Sequence, residues 1–328
     1  MPRIFSGIQP SGDLHIGNYL GAVRNWARLQ GEYESIICIV DLHAITQAYD
    51  TSTLSQRTFD MAIGLLSAGI DPERTTLFVQ SHVPQHAELM WLLNTVTPLG
   101  ELERMTQFKD KSERLESIPA GLLNYPILQA ADILLYRADR VPVGEDQIQH
   151  LELAREVARR FNARFGVEFF PEPQALLTDA ARIVGLDGTA KMSKSLGNTI
   201  GLLDSPDAIW EKLRPAMTDP ARKTRKDPGN PDVCNLYSLH QHFSPPDQVV
   251  EVAEKCRTAG WGCIECKRVL ADNMIATLAP IRARAEELKA RPDEVRAILA
   301  RGAERCRGLA EETLSQVRRI MGFLPAKL

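Results

Sequence analysis

The chain has 328 residues, 44% of them hydrophobic and 25% charged, which is ordinary for a globular protein and ample for a large core in two domains. Thirty-nine Lys and Arg against 42 Asp and Glu leave a formal charge of −3. That balance argues against indiscriminate polyanion binding but leaves room for local basic patches. The segment Met1 to Gly7 lacks the long apolar core of a signal peptide, and no run approaches the roughly 20 apolar residues that span a bilayer. The expected setting is cytoplasmic, away from membranes, with the six cysteines reduced.

Residues 3–7 read as a short buried strand ending at Gly7. Gln9-Pro10-Ser11-Gly12 is turn-rich, and an amphipathic helix follows from about Ile16 to Gln30. Strand, glycine-bearing loop and helix in this order place free backbone N–H groups where a phosphate can bind. Gly17 would let a flat ring or a phosphate approach the backbone, and His15 and Asn18 would supply hydrogen bonds. The apolar run Ser35 to Asp41 predicts a strand covered on both faces. A helix over Thr53–Ala68 closes at Gly69, Thr76–Gln80 predicts a third strand, and His86–Leu93 begins another helix. Alternating strands and helices argue for an α/β fold with a doubly wound parallel sheet. Neither G-x-G-x-x-G nor G-x-x-x-x-G-K-[ST] occurs, so dinucleotide-binding and P-loop enzymes lose ground. Cys38, inside a core strand, reads as inert packing.

Residues 98–140 break the alternation. Gly100 to Lys111 is polar and predicts surface loop or helix. Ala120 to Tyr136 is strongly apolar apart from Tyr125, Gln129 and Asp132. A carboxylate in such a run is costly to bury unless something donates to it. Asp132 therefore reads either as a helix-surface acid or as a pocket acceptor for a ligand N–H. Val141-Pro142-Val143-Gly144 predicts a further strand. Glu145 and Asp146 open a helix through Phe161, where acidic residues are also ordinary caps. The stretch 181–198 is a glycine-containing loop holding Lys191-Met192-Ser193-Lys194-Ser195, two lysines able to swing onto a polyphosphate.

Ser205-Pro206 caps the next helix, and the chain reads as helical from there to the end. Residues 282–328 carry eleven Lys and Arg against seven Asp and Glu. A second basic cluster runs from Lys212 to Lys226, and two such zones on an acidic protein suit an RNA backbone. Cys234, Cys256, Cys263 and Cys266 read C-x21-C-x6-C-x2-C. Four thiolates suit either a zinc ion or an iron–sulfur cluster.

Along essentially its whole length the chain resembles the bacterial tryptophanyl-tRNA synthetases, a class I aminoacyl-tRNA synthetase family. The resemblance rests on Phe5 to Gly12, His15-Ile16-Gly17-Asn18, Gly100 to Lys111, Ala130 to Leu134, Val141 to Gln147 and Lys191 to Ser195. His15 to Asn18 corresponds to the class signature HIGH with Asn in the last place, and Lys191 to Ser195 is an intact KMSKS. Glu103 to Gln107 and Gly144 to Gln147 favour the tryptophan enzyme over its tyrosine relative. The resemblance implies a Rossmann-like catalytic domain over 1–203, with a helical insertion and dimer-contact region at about 98–140. It implies a helical anticodon-binding domain over 204–328.

The implied activity is ATP-dependent formation of tryptophanyl-adenylate and transfer of the tryptophan to tRNA(Trp). ATP with Mg²⁺ would be met by Gln9, Pro10, Ser11, His15, Gly17, Asn18, Gly144, Glu145, Asp146 and Ile183, with Lys191, Met192, Ser193, Lys194 and Ser195. Lys111, Lys191 and Lys194 would act on the phosphates in catalysis. Asp132 would accept the indole N–H, and Tyr125 and Gln147 would hold the α-amino group. Phe5, Val40, His43, Ile133, Val141 and Val143 would wall the ring. Gln129 would stand beside it, where other members have Met. The chain also resembles the branch of the family that carries a [4Fe-4S] cluster, which assigns Cys234, Cys256, Cys263 and Cys266 as its ligands. A homodimer is implied as well.

Overall fold

A computed structural model of the chain describes every residue except 114, 145–146, 178–182 and 326–328, and only the backbone at Leu177 and Ser195. Five parallel strands form one sheet: β1 (Arg3–Ile8), β2 (Glu34–Ile39), β3 (Thr75–Val79), β4 (Arg140–Val143) and β5 (Gln174–Leu177). Their spatial order is β3-β2-β1-β4-β5. β1 pairs β2 from Arg3 opposite Glu34 to Ile8 opposite Ile39, and β4 pairs β5 from Arg140 opposite Gln174. The order reverses at β1, so the crevice beyond the C-terminal ends of β1 and β4 is the place where doubly wound sheets bind ligands.

Both faces of the sheet are covered, which explains why β2 is a nearly unbroken apolar run. Ile37 and Ile39 enter one core and Ile36 and Cys38 the other, the alternation a pleated strand imposes. After β1 the chain enters α1 (Ile16–Asn18), passes through a π-helical turn at Tyr19–Val23, and continues as α2 (Arg24–Leu29). β2 leads to α3 (Asp41–Ala44) and α4 (Leu54–Ser67). Gly69, at φ +104°, closes α4. β3 leads to α5 (Gln85–Asn94), α6 (Leu99–Glu103), α7 (Thr106–Ser112) and α8 (Ala120–Leu135). β4 leads to α9 (Ile148–Phe165), which ends on Gly166 in a left-handed conformation.

From residue 204 onward the α-helices among the described residues are α10 (Pro206–Leu213), α11 (Asn235–Phe243), α12 (Pro246–Arg257), α13 (Cys263–Lys289) and α14 (Pro292–Ile320), with a long irregular stretch between α10 and α11. Ser205 caps α10, its hydroxyl accepting from the Ala208 N–H at 3.2 Å, with Pro206 in the first turn. These helices are built into the rest of the molecule. Leu270 to Leu288 of α13 share a core with Leu14, Ile16 and Met61, while Cys306 to Val317 of α14 share the other core with Phe78 and Leu135. α14 thus reaches both faces of the sheet at edge strand β3. At Gly302 it comes so close that an added Cβ would lie 2.0 Å from the Leu77 carbonyl oxygen.

Candidate active site

The crevice at the switch point is lined by β1 and its following loop (Phe5, Gly7, Gln9), by Val40 and His43 after β2, and by β4 and its end (Val141, Val143, Gly144). α8 contributes Gln129, Asp132 and Ile133, and Gln147 completes the rim. Ser6, Ile8 and Pro142, within the signature stretches but not singled out there, also line it, as do Ala22 and Trp26, which lie outside them. Ala22 lies in the π-helical turn, a helix irregularity often met at functional sites. A second cavity, lined by Ile8, Gln9, Ser11, His15, Asn18, Met61, Met192, Ser193 and Lys194, shares Ile8, Gln9 and Asn18 with the first. One continuous cleft therefore runs from Asp132 to the lysine loop.

Backbone pairing brings the two signature stretches together. Ile16 N–H donates to the Ile200 carbonyl at 3.0 Å, and Leu202 N–H to the Leu14 carbonyl at 2.7 Å. His15 pairs with Gly201 as an antiparallel bridge. The root of the lysine loop is thus stitched to the start of α1. Within the loop, Met192 N–H donates to the Ile183 carbonyl at 2.9 Å. Asn198 accepts from Ser193 N–H at 2.8 Å and donates to Asp187 at 3.1 Å. Asn198 fits there because Gly185 has no side chain: a Cβ would stand 2.0 Å from its amide nitrogen.

His15 and Asn18 cap one another. His15 Nδ1 accepts from Asn18 N–H, and Asn18 Oδ1 accepts from His15 N–H, each at 3.3 Å. This reciprocal cap accounts for the spacing of the two residues. Burial, with help from the nearby Lys194 and Lys191 charges, pushes the His15 imidazole down to about 4, so Nδ1 is free to accept at neutral pH. Burial also lowers the Lys194 ammonium to about 8, with Asp13 opposing and Arg57 adding to the shift. The Lys194 stem lies against Gly12, whose φ of +131° suits glycine.

Asp132 is 2% exposed and fully supplied with donors on one side. Gln80 Nε2 donates to Oδ1 at 2.7 Å, His86 Nδ1 meets the same oxygen at 2.6 Å, and His43 Nε2 meets Oδ2 at 2.8 Å. Burial alone would raise this carboxyl, but His43 foremost and then His86 hold it at about 2, by their charge when protonated and by the hydrogen bonds they donate. Asp132 is thus a buried carboxylate in the cavity wall and not a helix-surface acid, and His43 donates to it as well as lining the cavity. The Tyr125 hydroxyl pairs with His150 Nε2 at 2.9 Å and Gln107 at 3.2 Å, and the Lys111 ammonium lies 5.0 Å over its ring. Gln129 donates to Gln147 at 3.5 Å.

Of the residues singled out from the sequence, Pro10, Gly17, Lys111, Tyr125, Ile183 and Lys191 do not line either cavity. Gly17 packs beneath the His15 ring, 2.9 Å from where a Cβ would be, and Ile183 is core. Glu145 and Asp146 lie outside the described residues, as does the Ser195 side chain. Gln80, His86 and Tyr136 mark only element ends in the sequence, and His150 only shares a helix face with Gln147 there. The cost of burying Asp132 implies that donors exist, but with seven histidines in the chain only the fold picks out which.

In the C-terminal region Cys234, Cys256, Cys263 and Cys266 line one small cavity with Arg222, Asp219 and Trp261. None of the four is in a disulfide. Burial, reinforced by the other three, pushes the Cys266 thiol up to about 12. His240 Nε2 lies 3.4 Å from Cys266 Sγ. Among the described residues no group of three or more His, Cys, Asp or Glu side chains is arranged to hold a single metal ion. Among them, too, no helix is long and apolar enough to cross a membrane.

A profile of the class I tRNA synthetases (W and Y) matches residues 1–279. A curated relative from Deinococcus radiodurans, named tryptophan–tRNA ligase, is 56% identical over 329 residues, covering 99% of either chain. One from Parasynechococcus marenigrum with the same name is 47% identical, covering 98% of either chain. The crystal structure of tryptophanyl-tRNA synthetase from Campylobacter jejuni, in complex with ADP and tryptophan, superposes with a TM-score of 0.89 at 36% identity. It covers 98% of this chain and all of its own. The chain belongs to the class I tRNA synthetases, within their tryptophanyl family.

Proposed function

We infer that the protein is a tryptophan–tRNA ligase. It joins L-tryptophan to ATP as tryptophanyl-adenylate, then passes the tryptophan to tRNA(Trp). The observation that carries this reading is the continuous cleft, with the Asp132 acceptor at one end and Lys194 at the other, sharing Gln9 and Asn18 between them.

In the first step a tryptophan carboxylate oxygen attacks the α-phosphorus, and the bond to the β-bridging oxygen breaks to release pyrophosphate. The carboxylate is already ionised at neutral pH, so positioning and charge stabilisation carry the rate. Lys194 and Lys191 take the phosphate oxygens, with Gln9 and Asn18 at the shared wall and Ser11 beside them. Lys111, whose ammonium lies over the Tyr125 ring, is assigned to the phosphates with them. Mg²⁺ travels with the nucleotide and neutralises phosphate charge when bound. His15 and Gly17 shape the helix start against which the nucleotide rests, and Gly144 faces it from β4. In the second step the terminal ribose hydroxyl of the tRNA attacks the acyl carbon, and AMP leaves. The indole enters between Phe5, Val40, Ile133, Val141 and Val143, its N–H donating to Asp132, while Tyr125 and Gln147 receive the α-amino group.

The catalytic unit is 1–203. The helices from 204 to 328, with their basic clusters, read the tRNA. A second copy covers the face that exposes Trp91, Leu99, Leu115 and Ile118. The cysteine quartet, gathered on one small cavity, is assigned a [4Fe-4S] cluster, with zinc as the alternative. A zinc ion needs four sulfurs about 2.3 Å from one point, whereas a cluster carries its irons at its corners and spreads its thiolates. Its place among α11, α12 and α13 makes it structural.

Tryptophan-dependent pyrophosphate exchange followed by charging of tRNA(Trp) tests the reading. Asp132→Ala should lower kcat/KM for tryptophan by roughly 100-fold or more, because the site is built to pair the substrate's polar group. The Michaelis constant for ATP should barely change. Near-normal exchange in that variant would place tryptophan selection elsewhere.

A further inference from the structure

Behind Asp132 lies a second tier of buried polar groups that touches neither cavity. His86, on α5, is wholly buried and Tyr136, just past the end of α8, is 1% exposed. The Tyr136 hydroxyl lies 2.8 Å from His86 Nε2, and His86 Nδ1 lies 2.6 Å from Asp132 Oδ1. The Cys306 thiol of α14 lies beside the same hydroxyl. The Tyr136 ring stacks on Phe5, a wall of the cavity, with centroids 5.5 Å apart and planes 13° from parallel. Phe78 packs against the rings of both His86 and Tyr136.

In the neutral His86 ring the protons can be placed by elimination. A carboxylate only accepts, so the His86 nitrogen facing it, Nδ1, carries the hydrogen. A ring with its proton on Nδ1 offers a lone pair at Nε2, and the Tyr136 O–H fills it. The opposite tautomer would set a lone pair against the carboxylate and leave the hydroxyl facing an N–H. A carboxylate also has about four acceptor positions, two on each oxygen. Gln80 and His86 occupy both on Oδ1, and His43 occupies one on Oδ2. One position remains, on the oxygen shared with His43, and His43 and Asp132 line the cavity together.

We propose that His86 and Tyr136 are positioning residues for substrate choice. Tyr136 holds His86 in the Nδ1–H tautomer, His86 with Gln80 saturates Oδ1 of Asp132, and the single acceptor position left is turned to the indole N–H. The proposal rests on the reading of Asp132 given above and extends it to two residues that never meet the substrate.

Pyrophosphate exchange with the full-length protein tests it, comparing L-tryptophan with β-(3-benzothienyl)-L-alanine, the same shape with sulfur in place of the N–H. Tyr136→Phe keeps the ring on Phe5 and removes only the hydroxyl. Tryptophan kcat/KM should fall about tenfold, the scale of one buried hydrogen bond, through the Michaelis constant for tryptophan. The benzothienyl analogue and ATP should be little affected, so the ratio between the two amino acids drops. An equal fall for both, or no fall, overturns the proposal and leaves the pair as packing. His86→Asn supplies an N–H toward Oδ1 without needing the hydroxyl. On that background Tyr136→Phe should leave the ratio unchanged, and a second drop would overturn the tautomer argument even if the single variant is unstable. Should the wild-type protein fail to distinguish the two amino acids, Asp132 does not read the N–H, and both the underlying reading and this proposal fall.

Discussion

Lys194 lines the cleft, and its surroundings make its charge conditional. Burial takes the ammonium down to about 8 in the ligand-free site, so a large share of it is neutral in mild alkali. A polyphosphate binds the protonated form, and protons leave as the pH rises. The sign follows: kcat/KM for ATP, which reports free-enzyme ionisations, should be flat below neutrality and fall as pH passes through about 8. Lys194→Arg keeps its charge throughout this range, so its profile should lack that fall even if its rate is lower. A profile unchanged in the arginine variant would assign the ionisation to another group. Asp132 shows the opposite arrangement: three donors keep it ionised across the whole working range.

Among the elements, α14 shows how tightly the C-terminal helices are joined to the sheet. Gly302 sits against the Leu77 carbonyl, where an added Cβ would be 2.0 Å away, whereas a Cβ at Gly308 meets nothing within 4 Å. Gly302→Ala should lower unfolding stability by about 1–3 kcal/mol through overpacking, measured as a lower urea midpoint. Gly308→Ala should be neutral or slightly stabilising, since alanine is the better helix former. Equal effects would mean that the backbone contact adjusts without cost. The elements themselves were largely legible in the chain. The runs at 35–40 and 76–79 are apolar because both sheet faces are buried, and Ser205-Pro206 and Gly69 mark helix ends through known backbone preferences. β5 was not legible: Gln174-Ala175-Leu176-Leu177 is short, follows two prolines in four residues, and is a strand because β4 is beside it. The pairing of Leu14–Ile16 with Ile200–Leu202 leaves no local mark either, since a backbone bridge between distant segments needs no particular side chains. Asp132 was legible as a problem, a buried acid in want of donors. His43, Gln80 and His86 as its solution come from α3, the end of β3 and α5, which only the fold assembles.

Taken whole, the molecule places its cysteine quartet where three helices meet: Cys234 at the start of α11, Cys256 in α12, and Cys263 and Cys266 in the first turn of α13. A bound cluster would clamp these helices, and its loss should loosen them while sparing the sheet. Anaerobically purified protein should contain iron and acid-labile sulfide, four of each per chain by the formula of the cluster. Oxidative removal should lower tRNA charging more than tryptophan-dependent pyrophosphate exchange. Stoichiometric zinc without iron or sulfide would refute the cluster.

The wrap of α14 around strand β3 also bears on the order in which the polypeptide can mature. Ribosomes deliver the sheet early and this helix last, so the outer strand, rich in β-branched and aromatic residues from Thr75 to Val79, waits bare while more than two hundred residues are still being added. Until Pro292–Ile320 emerges, that edge is open to pairing with a neighbouring nascent chain. A premature stop late in the message would therefore release a product whose main hazard is self-association, with the nucleotide cleft already assembled.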